Sequence, residues 1–178
     1  TKPKSSVASR SPSSVRSPLG AEPVDESEAG SPCPAMVAAR PARAADPALV
    51  PGAVEELIRW VTPLNNFFRV ASGPTELGGA SIAEGDRLLL AYPSANRDER
   101  VFTDPDRFDI RRHPNPHVAF GFGTHFCLGA SLARYELALL FTRLTAEMTD
   151  LRVLTPPDLE ANVFVTAVRS FDLGFTRR

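Results

Sequence analysis

The sequence predicts an α+β chain, mainly α with small β-sheets over residues 45–178, preceded by a disordered segment, residues 1–44. Three observations predict this. Leu128, Leu132, Ala133, Leu137, Leu140, Phe141 and Leu144 recur at spacings of three and four, the pattern of an amphipathic helix of about four or five turns. Short apolar runs bounded by Gly and Pro have the length of strands. Composition also changes sharply near residue 45, where a Ser/Pro/Ala/Arg-rich stretch gives way to periodic sequence.

The elements follow in order. Residues 1–43 show no sustained apolar periodicity and are expected to be disordered. Their Ser/Arg-rich start, free of acids until Glu22, has the composition of a transit peptide but no amphipathic face. Ser11-Pro12 and Ser17-Pro18 are candidate phosphosites that this composition also produces by chance, and Cys33, between two prolines, is assigned no role. Asp46-Pro47 opens a turn, and a helix carrying Val54, Leu57, Ile58 and Val61 on one side ends at Pro63. Strands are expected around Phe67–Ala71, Ser81–Ile82 and Arg87–Tyr92, separated by turns at Gly73-Pro74, Gly78-Gly79 and Gly85-Asp86. A long irregular stretch from Val101 to Ala119 leads to a glycine-rich loop; the main helix then runs to about Met148, and a terminal β-hairpin closes the chain.

At 178 residues the chain has room for one domain with a sizeable core. A net charge of −1 predicts no attraction to nucleic acid or to an anionic membrane, and runs such as Leu137-Ala138-Leu139-Leu140-Phe141 are too short to span a bilayer. Two cysteines, Cys33 and Cys127, suggest no disulfide framework, so a cytoplasmic location is expected.

The chemistry concentrates in Phe120-Gly121-Phe122-Gly123-Thr124-His125-Phe126-Cys127-Leu128-Gly129. Gly121 and Gly123 permit backbone angles closed to other residues, so the loop can turn tightly and let a ligand approach its main chain. Gly129 removes a side chain where a planar group would lie. The helix that follows puts Cys127 at a helix N-terminus, where free N–H groups and the macrodipole favour a thiolate. The stretch resembles the heme-binding signature of the cytochrome P450 monooxygenases, matched at Phe120, Gly121, Gly123, Cys127 and Gly129, with His125 at the basic position. The resemblance implies heme b (iron protoporphyrin IX) with Cys127 as axial ligand to the iron, a ligand that pushes electron density onto the metal.

Two further motifs resemble the same family. Glu56-Leu57-Ile58-Arg59 places an acid and a base on one side of a helix, a pattern that by itself also describes solvated surface pairs. Pro105-Asp106-Arg107-Phe108 resembles the family's Pro-x-Arg-Phe segment, and the resemblance implies that Arg107 joins Glu56 and Arg59 in a buried network fixing the cysteine loop. Ala95-Asn96-Arg97-Asp98 resembles the bacterial branch, which usually has proline where this chain has Glu99. By the same resemblance His125 and Arg69 hold the two heme propionates, with an edge-strand surface charge as the other reading of Arg69. The resemblance also implies that Leu64, Asn65, Phe67, Phe164 and Val165 border a mostly apolar substrate pocket.

The resemblance covers the C-terminal half of the family fold, residues 45–178, and less than half of a family member. Nothing between Thr1 and Ala45 matches the family's oxygen-activating acid–alcohol pair, and Thr1 stands in place of a starting Met. The expectation is therefore a truncated heme-thiolate monooxygenase. An intact member would use molecular oxygen and electrons from a ferredoxin or other redox partner with its reductase. It would hydroxylate a hydrophobic small molecule: a steroid, fatty acid or terpenoid. The alternatives are a non-catalytic heme-binding remnant and a zinc-binding module built on His113, His117, His125 and Cys127.

Overall fold

Asp46, the first described residue, accepts the Ala48 N–H at 2.9 Å and so caps a short 3-10 turn, Pro47–Leu49. The turn runs into helix α1, Val50–Val61, whose Pro51 sits in the first turn, where a missing N–H leaves no bond unmade. In this computed structural model residues 46–178 are described; the expected disorder, phosphosites, transit-like start and idle Cys33 lie outside the described residues. α1 buries Val50, Ala53, Val54, Leu57 and Ile58, a stripe at helical spacing. It stops at Thr62, which is left-handed at φ 41° and donates its hydroxyl to the Arg59 carbonyl at 2.6 Å.

Four short strands follow. β1 (Asn66–Val70) pairs antiparallel with β4 (Arg87–Ala91), Phe68 opposite Leu89. β2 (Thr75–Leu77) pairs with β3 (Ala80–Ile82) across Gly78 and Gly79, whose φ values of 58° and 82° are those a two-residue hairpin turn requires. The sequence reading missed β2, because three exposed residues make no alternating pattern. One turn of helix, α2 (Tyr92–Ala95), leads into the irregular stretch, and a 3-10 turn at Gly123–His125 precedes helix α3, Ala130–Glu147. The single terminal hairpin expected from sequence is two separate ladders: β5 (Met148–Val153) with β8 (Leu173–Arg177), and β6 (Asp158–Glu160) with β7 (Ala167–Ser170).

The core joins α1 to α3. Val50, Val54, Leu57 and Ile58 meet Ala119 and Phe141, with Phe108, Phe120, Leu137 and Leu144 packed against them. Gly52 lets α1 lie against the irregular stretch, since a Cβ there would stand 2.8 Å from the Ile110 carbonyl oxygen. α3 is less one-sided than its spacing suggested. Apolar residues circle most of it and α1 covers one flank, so Phe141 is buried while Leu132, Leu139 and Leu140 stay exposed. Among the described residues no helix is long and apolar enough to cross a membrane.

Candidate functional site

Cys127 lies in the turn that feeds α3 and not in the helix itself: its N–H donates to the Phe120 carbonyl at 2.8 Å and its carbonyl accepts from Ala130 at 3.2 Å. The thiol is free and exposed. Gly121 makes this loop possible. It sits at φ 76°, and a Cβ there would stand 3.1 Å from the His125 carbonyl oxygen, so a larger residue would be strained and crowded at once. Gly129 leaves the sulfur uncovered, a Cβ at that position lying 3.9 Å from Sγ. Phe122, Phe126, Leu128 and Leu132 are exposed along the loop and the first turn of α3. An accessible sulfur in a glycine cradle with apolar side chains left in solvent fits a large, flat, mostly apolar group carrying a thiophilic centre.

Beneath the loop, Glu56 and Arg59 of α1 are completely buried. They form a bidentate pair, Nε to Oε2 and Nη2 to Oε1, both 2.8 Å. Glu56 also accepts the Asp109 N–H at 2.8 Å, Arg112 Nε at 3.1 Å and Asn115 Nδ2 at 3.1 Å. Burial pushes the Glu56 carboxyl up, but the Arg59 hydrogen bond, the Asp109 amide and the charges of Arg59 and Arg112 more than offset it. The acid therefore lies below the ordinary glutamate value and is ionised. Arg59 spends its remaining donors on the carbonyls of Asn96 at 2.8 Å, Pro105 at 2.9 Å and Arg107 at 3.4 Å. The pair thus pins the irregular stretch to α1.

The other predicted residues fall in two places. Arg69 is half-buried on β1, donating to the Phe68 carbonyl at 2.9 Å, and lines a cleft of about 1010 Å³ with Tyr92, Gly121 and Phe122. His125 is exposed at the end of the 3-10 turn. Leu64, Asn65, Phe67, Phe164 and Val165, far apart in sequence, come together. Leu64 and Val165 form a β-bridge, Asn65 donates its N–H to the Phe164 carbonyl at 2.8 Å, and the Phe67 and Phe164 rings meet edge-on at 5.2 Å.

Residues 46–154 match the family model described as Cytochrome P450. The chain belongs to the cytochrome P450 family. It is 46% identical over 132 residues to Cytochrome P450-terp of a Pseudomonas species, covering 74% of this chain and 31% of that protein. Over 135 residues it is 46% identical to the steroid C26-monooxygenase of Mycobacterium tuberculosis H37Rv, covering 74% of this chain and 34% of the relative. A Mycobacterium marinum cytochrome P450 solved in complex with pseudoionone superposes with a TM-score of 0.76 at 40% identity, over 81% of this chain and 35% of that one. The chain spans about a third of the length of these curated relatives, and its α+β architecture is the C-terminal part of the cytochrome P450 fold.

In this cytochrome P450 chain one sequence assignment needs correction. The third charged partner of the Glu56–Arg59 pair is Arg112, not Arg107. The Arg107 side chain is exposed, and that residue contributes its carbonyl, which accepts from Arg112 Nη2 at 2.9 Å. The Arg112 side chain is 9% exposed and also donates to the Thr103 carbonyl at 2.7 Å. Arg107 carried the motif, but only the path of the irregular stretch determines which arginine turns inward. Sequence reasoning placed Asn96 in a motif without giving it a role; it is fully buried, donates to Thr62 Oγ1 and accepts the Val118 N–H, each at 2.8 Å. An uncharged asparagine in a polar stretch carries no periodic signal. His113, His117, His125 and Cys127, the residues of the zinc alternative, are not gathered into a metal-ligating group among the described residues. His117 spends its ring on Glu55 and the Ala119 N–H.

Proposed function

We propose that this chain is the thiolate-bearing part of a heme-dependent monooxygenase acting on a hydrophobic small molecule. The observation that carries the reading is the exposed Cys127 in its glycine cradle, on a chain of the cytochrome P450 family. Heme b, when bound, supplies the activation of molecular oxygen for insertion into a C–H bond. The residues of this chain bind and orient it. Cys127 would ligate its iron, with Phe120, Gly121, Gly123 and Gly129 shaping the loop around the sulfur. Arg69 and His125 are the proposed partners of the two propionates, and the cleft that Arg69 shares with Gly121 and Phe122 supports the first assignment.

The Glu56, Arg59 and Arg112 network holds the irregular stretch from which the cysteine loop departs. Leu64, Asn65, Phe67, Phe164 and Val165 form one wall of the proposed substrate pocket, and its mostly apolar character, Asn65 excepted, suits a steroid, fatty acid or terpenoid. The names of the steroid C26-monooxygenase and pseudoionone-bound relatives agree with that class. Electrons would come from a ferredoxin or comparable carrier with its reductase.

The test is spectroscopic. The chain is reconstituted with hemin, reduced and exposed to carbon monoxide; the strongly red-shifted Soret band of a thiolate-ligated ferrous complex is expected, and Cys127→Ala should abolish it. A spectrum unchanged by Cys127→Ala would overturn the assignment.

A further inference from the structure

A second polar cluster lies beside the Glu56–Arg59 pair, on the side facing the cysteine loop. Glu55, the neighbour of Glu56 on α1, accepts a two-point contact from Arg134 on α3, Nε to Oε1 at 2.6 Å and Nη2 to Oε2 at 3.0 Å. Its Oε2 is also 3.0 Å from Nε2 of His117. The His117 side chain is 2% exposed, so each ring nitrogen must be satisfied from within. Its Nδ1 lies 3.3 Å from the Ala119 N–H, a donor, which obliges Nδ1 to accept. The ring is therefore neutral, with its proton on Nε2 and directed at Glu55. Burial lowers the His117 pKa and the Glu55 contact only partly opposes this, with Arg134 and Arg59 also disfavouring a second positive charge.

The cluster grips the residue next to the loop. Phe120 follows Ala119 directly, and its carbonyl accepts the Cys127 N–H. The Phe120 ring has the Arg134 guanidinium over it at 4.6 Å and the His117 ring 6.1 Å away. The Val118 N–H is held by Asn96, and the Gly121 N–H by the Val118 carbonyl. Three of the amides that lead into the loop, those of Val118, Ala119 and Gly121, are thus tied down, and His117 supplies the tie for Ala119.

We propose that His117, as the neutral Nε2–H tautomer clamped by Glu55 and Arg134, is a positioning residue that sets the entry of the cysteine loop and so the placement of Cys127. The tautomer and the tie to Ala119 are properties of the chain alone; the consequence for Cys127 as a ligand rests on the proposed heme site.

Three proteins test this. In the wild-type chain, nitrogen-15 spectra of the imidazole should show His117 protonated at Nε2 and bare at Nδ1. His117→Gln keeps a donor toward Glu55 but places no acceptor at the Nδ1 position, whereas His117→Asn restores that acceptor and gives up the reach to Glu55. Amide hydrogen exchange at Ala119 should quicken by about tenfold in His117→Gln, the order expected when one hydrogen bond is lost, and return toward the wild-type rate in His117→Asn. After hemin reconstitution, His117→Gln should show a smaller share of the red-shifted ferrous–carbon monoxide band than His117→Asn at equal heme content. A proton on Nδ1 in the wild type, or equal Ala119 exchange in wild type and His117→Gln, would overturn the proposal. The spectrum of the unmutated chain decides this even where a variant does not fold. Loss of the heme reading through Cys127→Ala would leave the exchange result standing, so the two failures are distinguishable.

Discussion

Replacing Arg59 probes the polar centre of the molecule most directly. Its guanidinium makes five hydrogen bonds, two to Glu56 and one each to the carbonyls of Asn96, Pro105 and Arg107. The Arg107 carbonyl keeps Arg112 as a partner after Arg59 is lost. Arg59→Ala leaves Glu56 buried with reduced compensation and strips the Asn96 and Pro105 carbonyls, so a loss of about 3–5 kcal/mol is expected, the range for breaking a buried charge pair. Arg59→Lys retains the charge but offers three donors in place of a planar fork. Two of the five hydrogen bonds are lost, among them one of the two to the Glu56 carboxylate, at a cost of about 1.5–3 kcal/mol for a bond to a charged group.

Urea unfolding followed through Trp60, the sole tryptophan, reads both variants; Arg59 and Arg97 lie over its ring at 5.6 and 4.9 Å. The order wild type, then Lys, then Ala is expected at constant urea dependence. Acid adds a signature. The Glu56 carboxyl is held below its ordinary value, so its contribution is fully present above the unfolded pKa of about 4.3 and disappears as pH falls through the lower folded value. Glu56→Gln should flatten that part of the stability profile. An Arg59→Ala chain within about 0.5 kcal/mol of wild type, the range of ordinary surface substitutions, would refute the reasoning.

Two further outcomes separate roles that the motifs confuse. Arg112→Ala should cost about 3–5 kcal/mol in the same urea assay while Arg107→Ala stays within about 0.5 kcal/mol, and the reverse order would restore the sequence assignment. In the hemin-loaded chain, Arg69→Ala or His125→Ala should speed transfer of heme to apomyoglobin by roughly 10- to 150-fold, the equivalent of a charged hydrogen bond worth about 1.5–3 kcal/mol. The carbon monoxide band should keep its position, and unchanged transfer rates would remove both residues from the propionates.

The features legible in sequence were those that depend on neighbours along the chain. The helical period in α1 comes from side chains three and four apart, and the Gly121 and Gly123 angles are requirements of the local backbone. The register of Glu56 and Arg59 is local in the same way, which is why spacing made their pairing readable, while their burial was implied only by the family resemblance. Its partners Asp109, Arg112 and Asn115 arrive along an irregular stretch without periodicity, and no spacing rule chooses Arg112 over Arg107 there.

The same limit hid the Glu55, His117 and Arg134 cluster, whose members belong to three separate parts of the chain and meet only because α1 packs against α3. It also governed α3, whose spacing announced a helix but not which of its apolar residues would be covered. The sequence by itself determined that α1 and α3 are helices, where the glycine-rich backbone turns, and which thiol is presented. Tertiary structure alone decided which charges are buried together and which arginine faces inward, because burial is a property of the packed neighbours and not of the residue.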